Sequence, residues 1–191
     1  DCNFDIQHWI SVGTVYGCGV LNTLSIASPN FRSISNINGT HKYDKNIRDV
    51  KAIFIKSKVV KYFPKDLEQY FNDLEVIGIW FGRLKQIRQS DLEPFKNLKN
   101  LDLHYNDIEV LEKDLFKFNK ELKAIFITHN RIRLVLPQDF VNLKNLNYFV
   151  LQGNDCIDEG EIEGGQTAVM EIIKNVGEKC HPNYFNLDNS Q

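Results

Sequence analysis

One spacing governs the chain. From Leu98 to Ile108 the apolar residues Leu98, Leu101, Leu103 and Ile108 occupy positions 1, 4, 6 and 11, with Asn106 at position 9. The pattern returns from Leu122 (Ile125, Ile127, Asn130, Ile132) and from Leu146 (Phe149, Leu151, Asn154, Cys156). Towards the N-terminus it returns from Leu74 (Ile77, Ile79, Leu84) and from Val50 (Ile53, Ile55, Val60). The starts at 50, 74, 98, 122 and 146 are each 24 residues apart. Self-similarity at a fixed period of this size specifies a solenoid. Positions 4 and 6 alternate with polar or variable residues, so they point to one face of a short strand. One unit cannot bury that face alone, whereas stacked units build a continuous core and a parallel sheet. The Asn at position 9 turns the chain and supplies an amide for backbone groups that burial would otherwise strand. Lys58 and Gly82 replace it in the earlier units, so the N-terminal half is expected to be less regular.

These residues resemble the leucine-rich repeat family, in its extracellular form with 24-residue units. The resemblance implies an α/β solenoid: a horseshoe with a parallel concave sheet, about six repeats and disulfide-bonded end caps. The expected division is an N-terminal cap over 1–20, repeats over 21–156, a C-terminal cap helix over 157–180 and a tail over 181–191. The repeats are expected to start near 21, 50, 74, 98, 122 and 146. The unit from Leu21 is degenerate, matching through Leu24, Ile26, Phe31 and Ile34, and is 29 residues long. Its surplus around Gly39–Asn46 predicts a protruding loop in which His41 is an ordinary exposed residue. In the cap, Phe4, Ile6, Trp9 and Ile10 are expected to cover the first core layer. Thr167–Val176 reads as an amphipathic helix stopped by Gly177. Pro64–Leu67 and Ser90–Leu92 read as short helical turns on the convex side.

The four cysteines stand in two pairs outside the regular units: Cys2 with Cys18, and Cys156 with Cys180. Four cysteines allow three connectivities, and pairing within each end is the natural one. A bridge closing each end would stabilise its cap by roughly 3 kcal/mol. Paired end cysteines, with an Asn38-Gly39-Thr40 sequon for glycosylation at Asn38, favour a secreted, extracellular protein. The chain begins at Asp1 rather than Met, as a processed chain would. No run of about 18 apolar residues is present, so no membrane span is expected. A net charge of −2 argues against nucleic-acid binding.

Function is expected on the concave wall, at positions 3, 5, 7 and 8, where the core makes no demand. Phe54, Trp80, Phe81, Asp102, His104, Tyr105, Phe126, His129 and Tyr148 fall there as candidate partner-binding residues. Each ring buries about 150–250 Å² in a contact, more in sum than a monomer ordinarily exposes. The competing reading tucks Phe81 and Tyr105 beneath a loop as a second layer of core. Asp102, His104 and His129 on neighbouring strands invite a metal or acid–base reading. Without a third ligand, a nucleophile motif or a phosphate loop, no metal, cofactor or catalytic residue is assigned. Residues 42–65 carry eight Lys or Arg against two Asp, and residues 155–179 carry seven acids against two Lys. That asymmetry suits partner steering, adhesion or inhibition through the basic half, or head-to-tail self-association.

The expected function is a non-catalytic module that binds a protein through its aromatic concave face. End cysteine pairs around short units are similar to small secreted leucine-rich repeat proteins of insects. That likeness implies a role in innate immune recognition.

Overall fold

The computed structural model describes residues 1–161 and 164–180. An eight-stranded sheet runs in strict chain order: β1 (Asn3–Trp9), β2 (Gly13–Leu21), β3 (Ala52–Lys56), β4 (Val76–Trp80), β5 (Asn100–Asp102), β6 (Ala124–Phe126), β7 (Tyr148–Val150) and β8 (Gly160–Glu161). Strands β2 to β7 are parallel, and each edge is closed by an antiparallel partner, β1 at one end and β8 at the other. The outermost parallel strands are thereby both paired, and β1 and β8 become the edges of the sheet.

Registration follows the 24-residue spacing. Ile53, Ile77, Leu101, Ile125 and Phe149 align across the sheet. They are buried with the position 1, 6 and 11 side chains as one continuous core. Each such side chain contributes roughly 1.5–3 kcal/mol by leaving water. The convex side returns through short turns, including α1 (Gln89–Leu92) and a 3₁₀ turn at Leu67–Gln69.

The asparagine ladder holds the turns together. Asn106 Oδ1 accepts from the Gly82 and Leu84 amides, both at 3.0 Å, and Nδ2 donates to the Ile79 and Leu103 carbonyls at 2.7 and 2.9 Å. Asn130 joins Ile108 to Leu103, and Asn154 joins Ile132 to Ile127 and Leu151. Where Lys58 interrupts the series, Ser57 serves instead, its hydroxyl donating to the Leu24 carbonyl at 2.8 Å. A further buried asparagine, Asn119, sits in an apolar convex row and donates to Leu92 and Phe95 carbonyls at 2.9 and 2.8 Å.

The first unit departs from its expected register. Cys18 and Val20, not Leu24 and Ile26, lie beside Ile53 and Ile55. Leu21 is exposed at the strand end, Ile26 bridges Val60 further round the turn, and Phe31 is 81% exposed. The cause is Cys18 itself. It takes a core position between Gly17 and Gly19 while bonded to Cys2, so the apolar spacing is absent where the strand begins. The expected boundary at 20/21 therefore falls at the end of a parallel strand.

Of the four cap side chains, only Phe4 enters the core; Ile6 and Ile10 are exposed and Trp9 lies elsewhere. His41 is no free loop residue. It stacks on Phe4 with centroids 3.9 Å apart and shares a 3.0 Å hydrogen bond with the Tyr16 hydroxyl.

At the far end α2 (Gln166–Lys179) buries Val169, Ile172, Ile173 and Val176, and a second disulfide joins Cys156 to Cys180. Gly177 does not stop this helix. A Cβ there would come within 2.9 Å of Pro137 Cγ, so glycine lets the helix approach the last convex turn. The expected tail over 181–191, with Tyr184 and Phe185, lies outside the described residues.

Replacing Asn106 by Ala removes the side-chain partner of the Gly82 and Leu84 amides and the Ile79 carbonyl, while Leu103 keeps its bond from Asn130, and is expected to cost roughly 2–4 kcal/mol. In a chain of this length that lowers the thermal midpoint by roughly 5–12 °C. Calorimetry of N106A checks this, and a midpoint within a degree of wild type would show the ladder to be dispensable.

Candidate functional site

The concave wall is built from rows, one residue from each strand. The position 3 row runs Gly17, Ala52, Val76, Asn100, Ala124 and Tyr148; the position 5 row runs Gly19, Phe54, Gly78, Asp102, Phe126 and Val150. Position 3 was expected to face solvent, yet Ala52, Val76, Asn100 and Ala124 are fully buried. Ser57 is buried by its bond to Leu24, and Val150 by the antiparallel strand β8.

The N-terminal hairpin decides what remains open. Its tip reaches over the wall as far as β5, where Asn100 Nδ2 donates to Ser11 Oγ at 2.9 Å. Trp9 thereby meets Phe54 and Trp80 edge-on, at centroid distances of 6.2 and 6.3 Å, and Phe54 meets Trp80 at 4.3 Å. Gly78 makes this possible: a Cβ there would stand 3.1 Å from the Trp9 ring and 3.2 Å from that of Phe54. Between hairpin and wall lies a cavity of about 470 Å³, lined by Trp9, Phe54, Trp80, Asn100, Asp102 and Phe126, with Asp5, Gln7 and His8 from the hairpin. Trp80 is thus half-buried inside an aromatic cluster, not standing free on the wall.

Beside the cavity runs a second arrangement. Phe81, Tyr105 and His129, all at position 8, stack in sequence, with centroids 4.7 and 4.4 Å apart and planes within 16° of parallel. All three have left-handed backbones, with φ of 57°, 56° and 50°, and Gly153 continues the row at 69°. A non-glycine residue there costs roughly 1–2 kcal/mol. The conformation turns the chain out of the strand while the Tyr105 and His129 amides still bond the Thr128 and Gln152 carbonyls of the next unit. It also sets the rings outward, Phe81 at 39% and Tyr105 at 45% exposure. That geometry excludes the reading of these two rings as a second core layer.

The expected residues therefore divide. Phe54, Trp80, Asp102 and Phe126 line the cavity, and Phe81, Tyr105 and His129 form the exposed stack. His104 joins the two groups. Its ring lies 4.1 Å from that of Trp80 and 5.4 Å from that of Tyr105, and Nδ1 donates to Asp102 Oδ1 at 2.7 Å. Tyr148 stands apart near Gly164 of the C-terminal segment. Asp102 and His104 form a pair while His129 stacks on Tyr105, and among the described residues no three His, Cys, Asp or Glu gather to hold a metal. Asn38 is exposed, and its carbonyl accepts from the Cys2 amide at 2.7 Å. Trp9, Ser11 and Asn100 were not among the expected site residues. The glycines that bare the wall at 17, 19 and 78 were the one hint that something lies against it.

Residues 96–155 match the family model of the leucine rich repeat. This stretch is leucine-rich repeat. The unbroken parallel stack on its N-terminal side supports reading the chain as a leucine-rich repeat protein. A search of curated proteins finds no match.

The hairpin is tied down at Asp5, whose carboxylate takes the Lys42 ammonium at 2.6 Å and the Tyr43 hydroxyl at 2.7 Å. The hydrogen bond from Lys42, then that from Tyr43 and the Ile6 amide, lowers its pKa to about 2. A depressed folded pKa stabilises above the unfolded value of 3.8 and is lost as pH falls towards 2. A carboxyl-carbon NMR titration is expected to place the Asp5 midpoint near 2 and to move it towards 3.8 in Lys42→Ala. An ordinary midpoint in wild type would refute the tie.

Proposed function

We propose that this chain is a secreted, non-catalytic recognition module that binds a protein partner through its aromatic concave wall, in innate immunity. The observation that carries the reading is the exposed stack Phe81–Tyr105–His129. Three side chains too large for an αL backbone are kept where glycine would be less strained, and the core gains nothing from them. Rings presented in this way supply the large, stiff contact area typical of interface hot spots. Leucine-rich repeats commonly mediate protein–protein binding, which supports the partner class. The two disulfides are compatible with an extracellular setting, and no described helix is long and apolar enough to cross a membrane. The immune role rests on the likeness to the small insect proteins alone.

The basic-end alternative draws less support. Of its eight cations, Lys42, Lys45 and Lys51 are already paired with Asp5, Asp49 and Asp73, and Lys56 lies over the Phe81 ring.

Tyr105→Gly separates binding from folding. Relief of the αL strain offsets the lost stacking, so stability is expected to stay within about 1 kcal/mol of wild type. Capture of a protein partner from extracellular fluid is expected to fall at least tenfold, and Phe81→Ala should behave alike. Undiminished capture by both variants, measured against the wild-type chain on one surface, would remove the stack from the interface.

A further inference from the structure

The cavity under the hairpin is a different kind of site from the exposed stack, and we propose that it binds a small organic cation: a free primary amine carrying a compact apolar body. Its volume of about 470 Å³ lies within the range of small-molecule sites. Four aromatic rings, Trp9, Phe54, Trp80 and Phe126, contribute to its lining. Aromatic faces carry negative electrostatic potential, so a group of rings around a cavity attracts a positive charge, most strongly once water is excluded.

The charges agree in sign. Asp5 and Asp102 line the cavity with His8 as the one basic side chain, and neither Lys nor Arg does. Asp5 is held by Lys42 and Tyr43, so Asp102 on the floor is the carboxylate left to act. Its Oδ1 takes both the ring and the backbone N–H of His104, and among the described residues no Lys or Arg pairs with it. Asn100, 0% exposed and also lining the cavity, gives its Nδ2 to Ser11 while its buried Oδ1 has no partner. A buried carbonyl oxygen without a donor is destabilising, and an ammonium N–H is the donor it lacks. The rings bind the apolar body, and Asp102 with Asn100 Oδ1 receives the ammonium. An anion would meet the Asp102 carboxylate and the ring faces, with the unpartnered Trp80 Nε1–H left to receive it.

Both tryptophans of the chain, Trp9 and Trp80, are in this wall, so intrinsic tryptophan fluorescence reports the site. The probe is phenethylamine, compared with phenylacetate, which has a similar body and the opposite charge, and with Nα-acetyl-lysine amide, which represents the side chain of a protein partner. Phenethylamine at neutral pH is expected to give a saturable change, with phenylacetate and the lysine derivative at least tenfold weaker. Asp102→Asn keeps an acceptor for His104, removes the charge and is expected to weaken phenethylamine roughly tenfold or more. Should D102N fail to fold by circular dichroism, Phe126→Leu, at the cross-strand neighbour of Asp102, is expected to give the same loss. The assignment is overturned by the absence of a saturable response, by phenylacetate binding equally well, by the lysine derivative binding alone, or by folded D102N or F126L binding like wild type. None of these readings depends on Phe81 or Tyr105, so they stand or fall apart from the protein-docking proposal.

Discussion

A solenoid turn has to leave its strand, cross the core and come back, and at each crossing it buries backbone amides and carbonyls that no strand partner can reach. Everything else in this molecule depends on how those groups are satisfied. The side-chain amide of Asn106 meets two amide donors and three carbonyl acceptors, spanning its own turn and the preceding one. Asn130 and Asn154 repeat the connection, and Ser57 substitutes where the chain has Lys58. With the crossings satisfied, the apolar strips of successive turns fall into line and bury one another.

The same crossings shape the inner wall. In the units from Leu74 onward the chain turns out of the strand at position 8, where the residue takes a left-handed backbone and its side chain projects away from the core. A glycine there, as at 153, satisfies the geometry with no ring. Phe81, Tyr105 and His129 satisfy it at a conformational cost partly offset by stacking on each other. The ends are closed by the opposite device, antiparallel strands and disulfides that add no further turn. At the N-terminal end that device extends beyond capping. The hairpin bends over the wall, sets Trp9 against the half-buried Trp80 and leaves a wide-mouthed cavity where a bare sheet face would otherwise stand.

Legibility in the sequence tracked the range of the interactions. The five regular units were readable because each apolar position repeats every 24 residues and each occurrence reinforces the others. The exposed stack was readable in part: Phe81, Tyr105 and His129 share a position, though nothing local says that their rings stack. The first strand was not readable, since a disulfide cysteine between glycines replaces the apolar pair that marks the others. Asn119 was hidden for a related reason. A polar residue in an apolar row reads as an interruption until its amide is seen to hold the Leu92 and Phe95 carbonyls.

The amino-acid sequence by itself determined the period, the inward side chains and the solenoid they compel, because those follow from spacing along the chain. The tertiary structure alone decided which outward residues stay open to solvent. Ser11 and Asn100 meet across 89 residues of sequence, and Trp9 reaches the Trp80 ring from a strand that pairs only with β2. Contacts of that reach leave no periodic trace, since they arise from where the folded hairpin comes to rest and not from any repeat.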